Sequence, residues 1–423
     1  MHRSPWKTGS KRACFLALNA ALAALFVLLG TSPAAAYPWM IKHGYTACGT
    51  CHADPSGGEL LTAYGRVISD EILRTHFEKK PDTEEATASA PTVKEGHEYY
   101  QQFFGAFGAP EPLLLGGSVR IASLYRDTNS DRFRVFPMQI DLQGDYRFLG
   151  RLHVGGSLGV AKVAVGSPHA RAAQITTNQG HEYNLLSRTH YVRYDFGDGA
   201  YSVSAGRLNL PFGIRMSEHV MWVRSETATD RESDQEHGAA LNMNFDFGRF
   251  EVMAIAGNYQ LNPDKLRKRG YSAYAELNAW EGGVVGLSSL ITHAGADQLN
   301  PGPIADTRQA HGAFLRASLG RQFVLSAEGD LLLHTQTKPG YVGFAQLDFE
   351  PFSGVHVIGT GEVLDNGYPK APVDPRAPGT GKPKFGGWLS AQWFFVSHFD
   401  FRLDTIVREN EPTQLLGQIH VYL

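Results

Sequence analysis

The stretch Phe133–Leu149, FRVFPMQIDLQGDYRFL, alternates apolar and polar side chains at a period of two. Phe136, Met138, Ile140, Leu142, Tyr146 and Phe148 form one row, and Gln139, Asp141, Gln143, Asp145 and Arg147 form the other. Side chains of a strand point to opposite faces in turn, so this spacing predicts a long strand with one apolar and one charged face. His398–Arg408 repeats the pattern, with Phe399, Phe401, Leu403 and Val407 against Asp400, Arg402, Asp404 and Arg408. Thr413–Leu423 alternates in the same way. Sixteen such candidates begin near residues 117, 133, 151, 185, 201, 237, 249, 270, 283, 307, 321, 340, 354, 384, 398 and 413.

The connections between these strands alternate as well. Phe148-Leu-Gly-Arg151, Phe196-Gly-Asp-Gly199, Trp280-Glu-Gly-Gly283 and Pro351-Phe-Ser-Gly354 are tight, whereas 164–184, 213–236, 295–306 and 366–383 are long. Short turns at one end and long loops at the other are the mark of an outer-membrane barrel. A soluble many-stranded β protein is the competing reading, and it gives no reason for that parity. The expected fold is mainly β: an antiparallel outer-membrane β-barrel of about sixteen strands (14–18) over 113–423, about 19 residues per strand, preceded by a small α-helical segment. Asp141, Asp145, Arg193, Glu276, Glu328, Asp330, Asp348, Glu350, Asp400, Arg402 and Asp404 are then expected to line a water-facing lumen, because a Lys or Arg on the lipid face costs ~2–4 kcal/mol at midplane.

Composition narrows the alternatives. With 43% hydrophobic and 11% aromatic residues the chain can bury a core, which excludes disorder throughout. Only Ala13–Gly30 is a long apolar run, so a multi-span helical membrane protein is excluded. The formal charge of −3 is not the basic balance of a nucleic-acid binder, and no nucleic-acid partner is expected.

Residues 1–36 carry Arg3, Lys7, Lys11 and Arg12, then the apolar run, then Ser32-Pro-Ala-Ala-Ala36. That order predicts a secretory signal peptide, with a single membrane anchor as the alternative. Set aside, it leaves the remaining chain at a charge of −7, since it holds four Lys/Arg and no acid.

Beyond residue 36 the cysteines are Cys48 and Cys51, in Ala47-Cys-Gly-Thr-Cys-His52. C-x-x-C-H is the attachment motif of haem c. Two thiols three positions apart can form thioethers to the two vinyl groups of one porphyrin, and the following His52 can bind iron. One motif predicts one covalent haem. A disulfide would close a very short loop and stabilise little. A zinc site would need two more ligands, and His43 is the only neighbour. For the sixth iron position Met40, His43, His76, His97 and Met138 are candidates. His76 is favoured for its place at an expected helix end, and an open position is the alternative.

Glu59–Lys80 predicts a helix whose apolar row is Leu60, Leu61, Tyr64, Val67, Ile68, Ile72 and Leu73. Lys80–Gly96 is polar and proline-bearing, the composition of a flexible linker. The expected layout is therefore signal peptide 1–36, cytochrome segment 37–80, linker and lead-in 81–112, and barrel 113–423.

Ala36-Tyr-Pro, His43-Gly-Tyr-Thr-Ala-Cys48-Gly-Thr-Cys51-His52, Pro55 and Leu61-Thr-Ala-Tyr-Gly65-Arg66, followed by a porin-sized β region, resemble the fused outer-membrane monohaem cytochrome c–porins. The iron-oxidising porin-cytochromes are the best-known members. The resemblance spans the layout of the chain, but its specific residues lie within 37–66. It implies a cytochrome on the periplasmic side of, or inside, a barrel in the outer membrane of a Gram-negative bacterium. It also implies electron transfer between the cell exterior and the periplasm. Cys48 and Cys51 carry over as haem attachments and His52 as the proximal ligand. The implied partners are outer-membrane lipid, a periplasmic carrier such as a soluble c-type cytochrome, and an extracellular donor or acceptor. The resemblance implies an oxidoreductase acting on an extracellular donor such as ferrous iron, but where the iron oxidisers have an aromatic-proline element this chain departs, with Ala53-Asp54-Pro55-Ser-Gly-Gly58, and the departure bears on that donor. Ala205-Gly-Arg-Leu-Asn-Leu-Pro-Phe-Gly213 separately resembles a strand-and-loop element of several porin families. The alternative function is a porin whose haem segment is a redox-responsive plug or a gas sensor.

Overall fold

A computed structural model describes residues 38–46, 48–58, 60–75, 112–128, 132–162, 175–176, 183–216, 218, 220–258, 267–296, 305–335, 337–367 and 383–422. The β region closes into an antiparallel barrel built from seventeen strand segments, β1 (Leu113–Arg126) to β17 (Gln414–Tyr422), paired in chain order except at β4 and β5, which both pair with β3. β1 pairs with β17 from Ser118↔Tyr422 to Arg126↔Gln414, which removes both sheet edges. β4 (Tyr183–Leu186) and β5 (His190–Phe196) bond end to end along β3 (Leu152–Lys162), so together they fill one wall position and the barrel has sixteen.

All tight turns lie at one rim, together with the start of β1 and the end of β17. Aromatic rings crowd that rim: Tyr146 and Phe148 at 4.4 Å, Phe196 and Tyr201 at 5.3 Å, Phe245 and Phe247 at 5.1 Å, Phe323 and Phe349 at 4.7 Å. Amphipathic rings gather where a membrane meets water, and short turns mark the periplasmic side. Above the ring belt the outer face presents Ile140, Leu142, Val192, Val203, Leu347 and Leu403, all exposed.

The lumen row is as expected: the eleven named charged wall residues are all buried. The apolar row of the opening stretch needs one correction. Between β1 and β2 (Phe133–Phe148) the register shifts at Arg120/Ile121, and Met138 is the extra residue there. A bulge exchanges the two faces of a strand beyond it. Phe133 and Val135, not Phe136 and Met138, therefore continue the outward row of Ile140 and Leu142.

The wall charges do not face open water. The described residues of 38–75 lie inside the barrel at the short-turn half, and those of the connection 209–235 between β6 (Tyr201–Leu208) and β7 (Glu236–Phe245) fold inward as well. Trp39, Met40, Ile41, Cys51, Ile68 and Leu73 form a core with Val284, Val324 and Phe394 of the wall. Leu210, Phe212, Ile214, Met221, Trp222 and Val223 form a second one with wall residues including Met253, Phe314, Phe344 and Trp388.

Candidate cofactor-attachment site

The expected helix Glu59–Lys80 is much shorter. An α-helical turn spans Ala63–Ile68 and a π turn Ser69–Leu73, and Arg74 is already extended. Thr62 caps the helix, accepting from the Gly65 amide at 3.0 Å. Its hydroxyl lies 3.3 Å from the Thr50 carbonyl and 3.2 Å from that of Cys51. One capping residue thus fixes the helix start to the backbone of the C-x-x-C-H motif.

The motif coils about one carbonyl: the amides of Cys51 and His52 both donate to the Cys48 oxygen at 3.1 Å. The Ala53 amide donates to Leu60 and the Thr62 amide to Cys51, both at 2.9 Å, and His52 bridges Leu61. Two glycines allow this packing. A Cβ on Gly65 would lie 2.1 Å from the Cys51 carbonyl oxygen, and one on Gly57, at φ +83°, would lie 2.4 Å from the Cys48 Cβ. Both cysteines are free thiols, each 4% exposed. Burial, and next the nearby Cys48, push the Cys51 thiol up to about 12.

Arginines from around the lumen hold the loop after the motif. Arg193 of β5 donates to the Ala53 carbonyl, Arg249 of β8 (Gly248–Ile255) to Pro55 at 3.2 Å, Arg215 to Ser56 and Arg231 to Gly57. Arg316 of β11 (Asp306–Leu319) donates to Thr46 at 3.2 Å. Asp54 accepts from the amide and hydroxyl of Ser56 at 2.8 and 2.7 Å, closing the Asp54–Gly58 turn. Burial raises the Asp54 carboxyl, but Arg231, Ser56 and Arg215 outweigh it and hold the group below the usual carboxylate range. At the other end of the segment Lys42 pairs with Glu350, and Trp39 lies 4.1 Å from the His356 ring. The Thr75 amide donates to Phe394 at 2.8 Å, at the short-turn rim.

Cys51 and His52 open onto a cleft of about 180 Å³. The segment lines it with Met40, Leu61, Gly65, Ile68 and Leu73. The wall contributes Ser118 and Arg120 of β1, Gln139 and Gln143 of β2, and His420 and Tyr422 of β17; the inward loop contributes Arg215, Met216 and Arg231. The loop also brings Asp230 and Glu232 to the cleft, so its polar side carries both signs. The Cys51 thiol, the His52 imidazole, an apolar floor and three guanidiniums suit a flat apolar ring bearing carboxylates. Among the described residues no group of three or more His, Cys, Asp and Glu is arranged to hold a bare metal ion.

Of the expected site residues, Cys48, Cys51 and His52 are brought together. Met40 lines the cleft. His43 lies elsewhere, 4.0 Å from the Glu350 carboxylate, and Met138 sits at the β2 bulge. His76 and His97 lie outside the described residues, as do the signal peptide and the linker 81–111. The sequence reading missed His420, Met216 and the arginines around the loop. His420 was findable, because it shares lumen parity with Leu416 and Gln418.

No family model matches the chain, and no curated protein matches it in sequence. Solved structures match in fold. OmpT of Vibrio cholerae, an outer membrane protein in its trimer form, is 8% identical at a TM-score of 0.53, over 74% of this chain and 99% of that one. OmpT lacking loop L8 is 9% identical at 0.51, with the same coverage. Salmonella typhi OmpF, in complex with daunomycin, is 12% identical at 0.50, over 74% of this chain and 97% of that one. The fold is therefore that of the sixteen-stranded outer-membrane β-barrels, with an N-terminal C-x-x-C-H segment lodged in its lumen.

Proposed function

We propose that this chain is an outer-membrane electron-transfer protein, a monohaem c-type cytochrome segment seated within a porin-like barrel, in the manner of the fused cytochrome–porins. The observation that carries this is the position of the C-x-x-C-H turn, coiled about the Cys48 carbonyl inside the lumen with Cys51 and His52 facing a cleft. Cys48 and Cys51 are the thioether attachments and His52 the proximal ligand of one haem c. Arg120, Arg215 and Arg231 line the cleft and would offset the charge of its carboxylates beside Asp230 and Glu232. When bound, the group supplies one-electron exchange at iron, at a potential that ligation, burial and hydrogen bonds set. The chain itself excludes water with the apolar core around Trp39, Ile41 and Ile68, and fixes the motif through the arginine-held carbonyls.

An apolar band about 25 Å tall separates donor from acceptor. A redox group in the lumen divides that distance, whereas one hanging outside on a linker would not. A periplasmic carrier, such as a soluble c-type cytochrome, serves one side, and an extracellular donor or acceptor the other. The test is a sealed proteoliposome with an entrapped redox dye and an impermeant reductant outside. Dye reduction by the native protein and not by Cys48→Ser supports conduction. Haem reduction with no dye reduction rejects it.

A second reading has its own support: residues 38–75 fill the lumen and are held by polar bonds and ion pairs such as Lys42–Glu350. A redox-responsive plug predicts solute flux that changes on haem reduction, and equal flux in both states removes it.

A further inference from the structure

The cleft has a second imidazole facing it, on the barrel wall. His420 of β17 is bonded on both ring nitrogens, and its two partners differ in kind. Nδ1 lies 2.9 Å from the Asp400 carboxylate, whose other oxygen accepts from the Gln392 amide at 3.1 Å. Nε2 lies 2.9 Å from the Ser118 hydroxyl. A carboxylate accepting from Nδ1–H would leave the Nε2 lone pair for a metal, and Ser118, whose hydroxyl also donates to Gln139 at 3.2 Å, is a neutral, replaceable partner. Carboxylate-held imidazoles of this kind are the usual form of a metal-binding histidine, because the carboxylate fixes tautomer and ring direction. Among the described residues lining the cleft, His52 and His420 are the two imidazoles.

Resting on the haem reading above, we propose that His420, oriented by Asp400, is the second axial ligand of the iron, so that the barrel wall rather than the N-terminal segment completes the coordination. Met40 and Met216 also line the cleft. Met40 is packed into the core of Trp39, Ile41 and Ile68, and Met216 is packed into the core of the inward loop. A ligand from β17 fixes the segment to the wall and makes the lumen filling permanent, which favours conduction over a moving plug.

The experiment uses the full-length exported protein with His420→Ala, Met40→Ala, Met216→Ala and Ser118→Ala, scored for covalent haem by pyridine haemochrome and for spin state by optical and electron paramagnetic resonance spectra. Covalent haem is expected unchanged throughout. Wild type, Ser118→Ala and both methionine variants stay low-spin. His420→Ala becomes high-spin and returns to low-spin with added imidazole, and His420→Met takes on the charge-transfer band of a methionine-ligated ferric haem. A His420→Ala protein with the wild-type low-spin spectrum overturns the proposal, and so does a high-spin wild type. If His420→Ala loses the heat-dependent gel shift of a folded barrel, His420→Gln, which keeps an acceptor for Ser118, decides in its place by the same criterion. Wild type without covalent haem overturns the haem reading itself, and the haemochrome assay tells that failure apart.

Discussion

The lumen is filled twice, by opposite electrostatic means. The segment 38–75 presents backbone carbonyls to guanidiniums: Ala53, Pro55, Ser56 and Gly57 to Arg193, Arg249, Arg215 and Arg231. The inward connection 209–235 also presents backbone amides to carboxylates. The Ile214 amide donates to Glu328 at 2.6 Å and the Trp222 amide to Glu362 at 2.8 Å. The loop packs seven apolar side chains, from Leu210 to Val223, into one continuous core with the wall, whereas the segment packs against the wall and leaves a cleft beside its motif. A loop tied at both ends to adjacent strands is closed by its own packing. The segment is held by bonds from strands round the wall and by Arg215 and Arg231 of the loop itself. The difference teaches that the loop closes its own packing, while the segment leaves a cleft, the space the proposed haem would take.

Four experiments can break or sharpen that contrast. The largest effect is expected from replacing both Cys48 and Cys51 with serine: covalent haem is abolished, measured by haem staining and intact mass, while the barrel keeps its heat-dependent gel shift. A loss of folding in that variant would mean the segment, not the wall, holds the barrel closed. Next is Trp222→Ala in the loop. Truncating a buried aromatic costs about 3–5 kcal/mol locally, so single-channel conductance should rise while haem content stays constant. Gly65→Val then tests the segment. Its side chain would meet the Cys51 carbonyl, and haem yield per folded barrel should fall severalfold.

The smallest effect is a pH dependence. Burial lowers His43 from 6.5 to about 4, against the opposing attraction of Glu350. A group with a depressed pKa in the docked state stabilises docking fully above 6.5, and that contribution is lost as pH falls toward 4. Protease cleavage of the segment should therefore speed up between pH 6.5 and 4 in wild type. In His43→Gln this pH slope should shrink.

Much of the wall was legible because period-two patterning is a local property that repeats with every strand. The alternation placed Asp141, Asp145, Asp400 and Asp404 on the inner face, and all four are buried there. It failed at Met138, where a bulge set by pairing with β1 exchanges the faces. The short connections gave the turns their rim for the same local reason. The motif Cys48–His52 was legible because its spacing is a chemical requirement on consecutive residues. Arg215, Arg249 and Arg316 were not, because each lies more than a hundred residues from the backbone it holds, and a charge on a lumen row reads the same whether it meets water or a carbonyl.

Composition and periodicity by themselves determined that this chain builds an alternating, turn-and-loop β wall and carries thiols and an imidazole at the spacing of haem c. Both follow from rules acting over a few residues. Only the tertiary structure decided that the lumen is filled rather than open, that Lys42 finds Glu350 and Arg193 finds Ala53, and that His420 and His52 share one cleft. Those outcomes depend on closure of β1 on β17, which brings opposite ends of the chain around one enclosed space, and no local pattern encodes what such a space will hold.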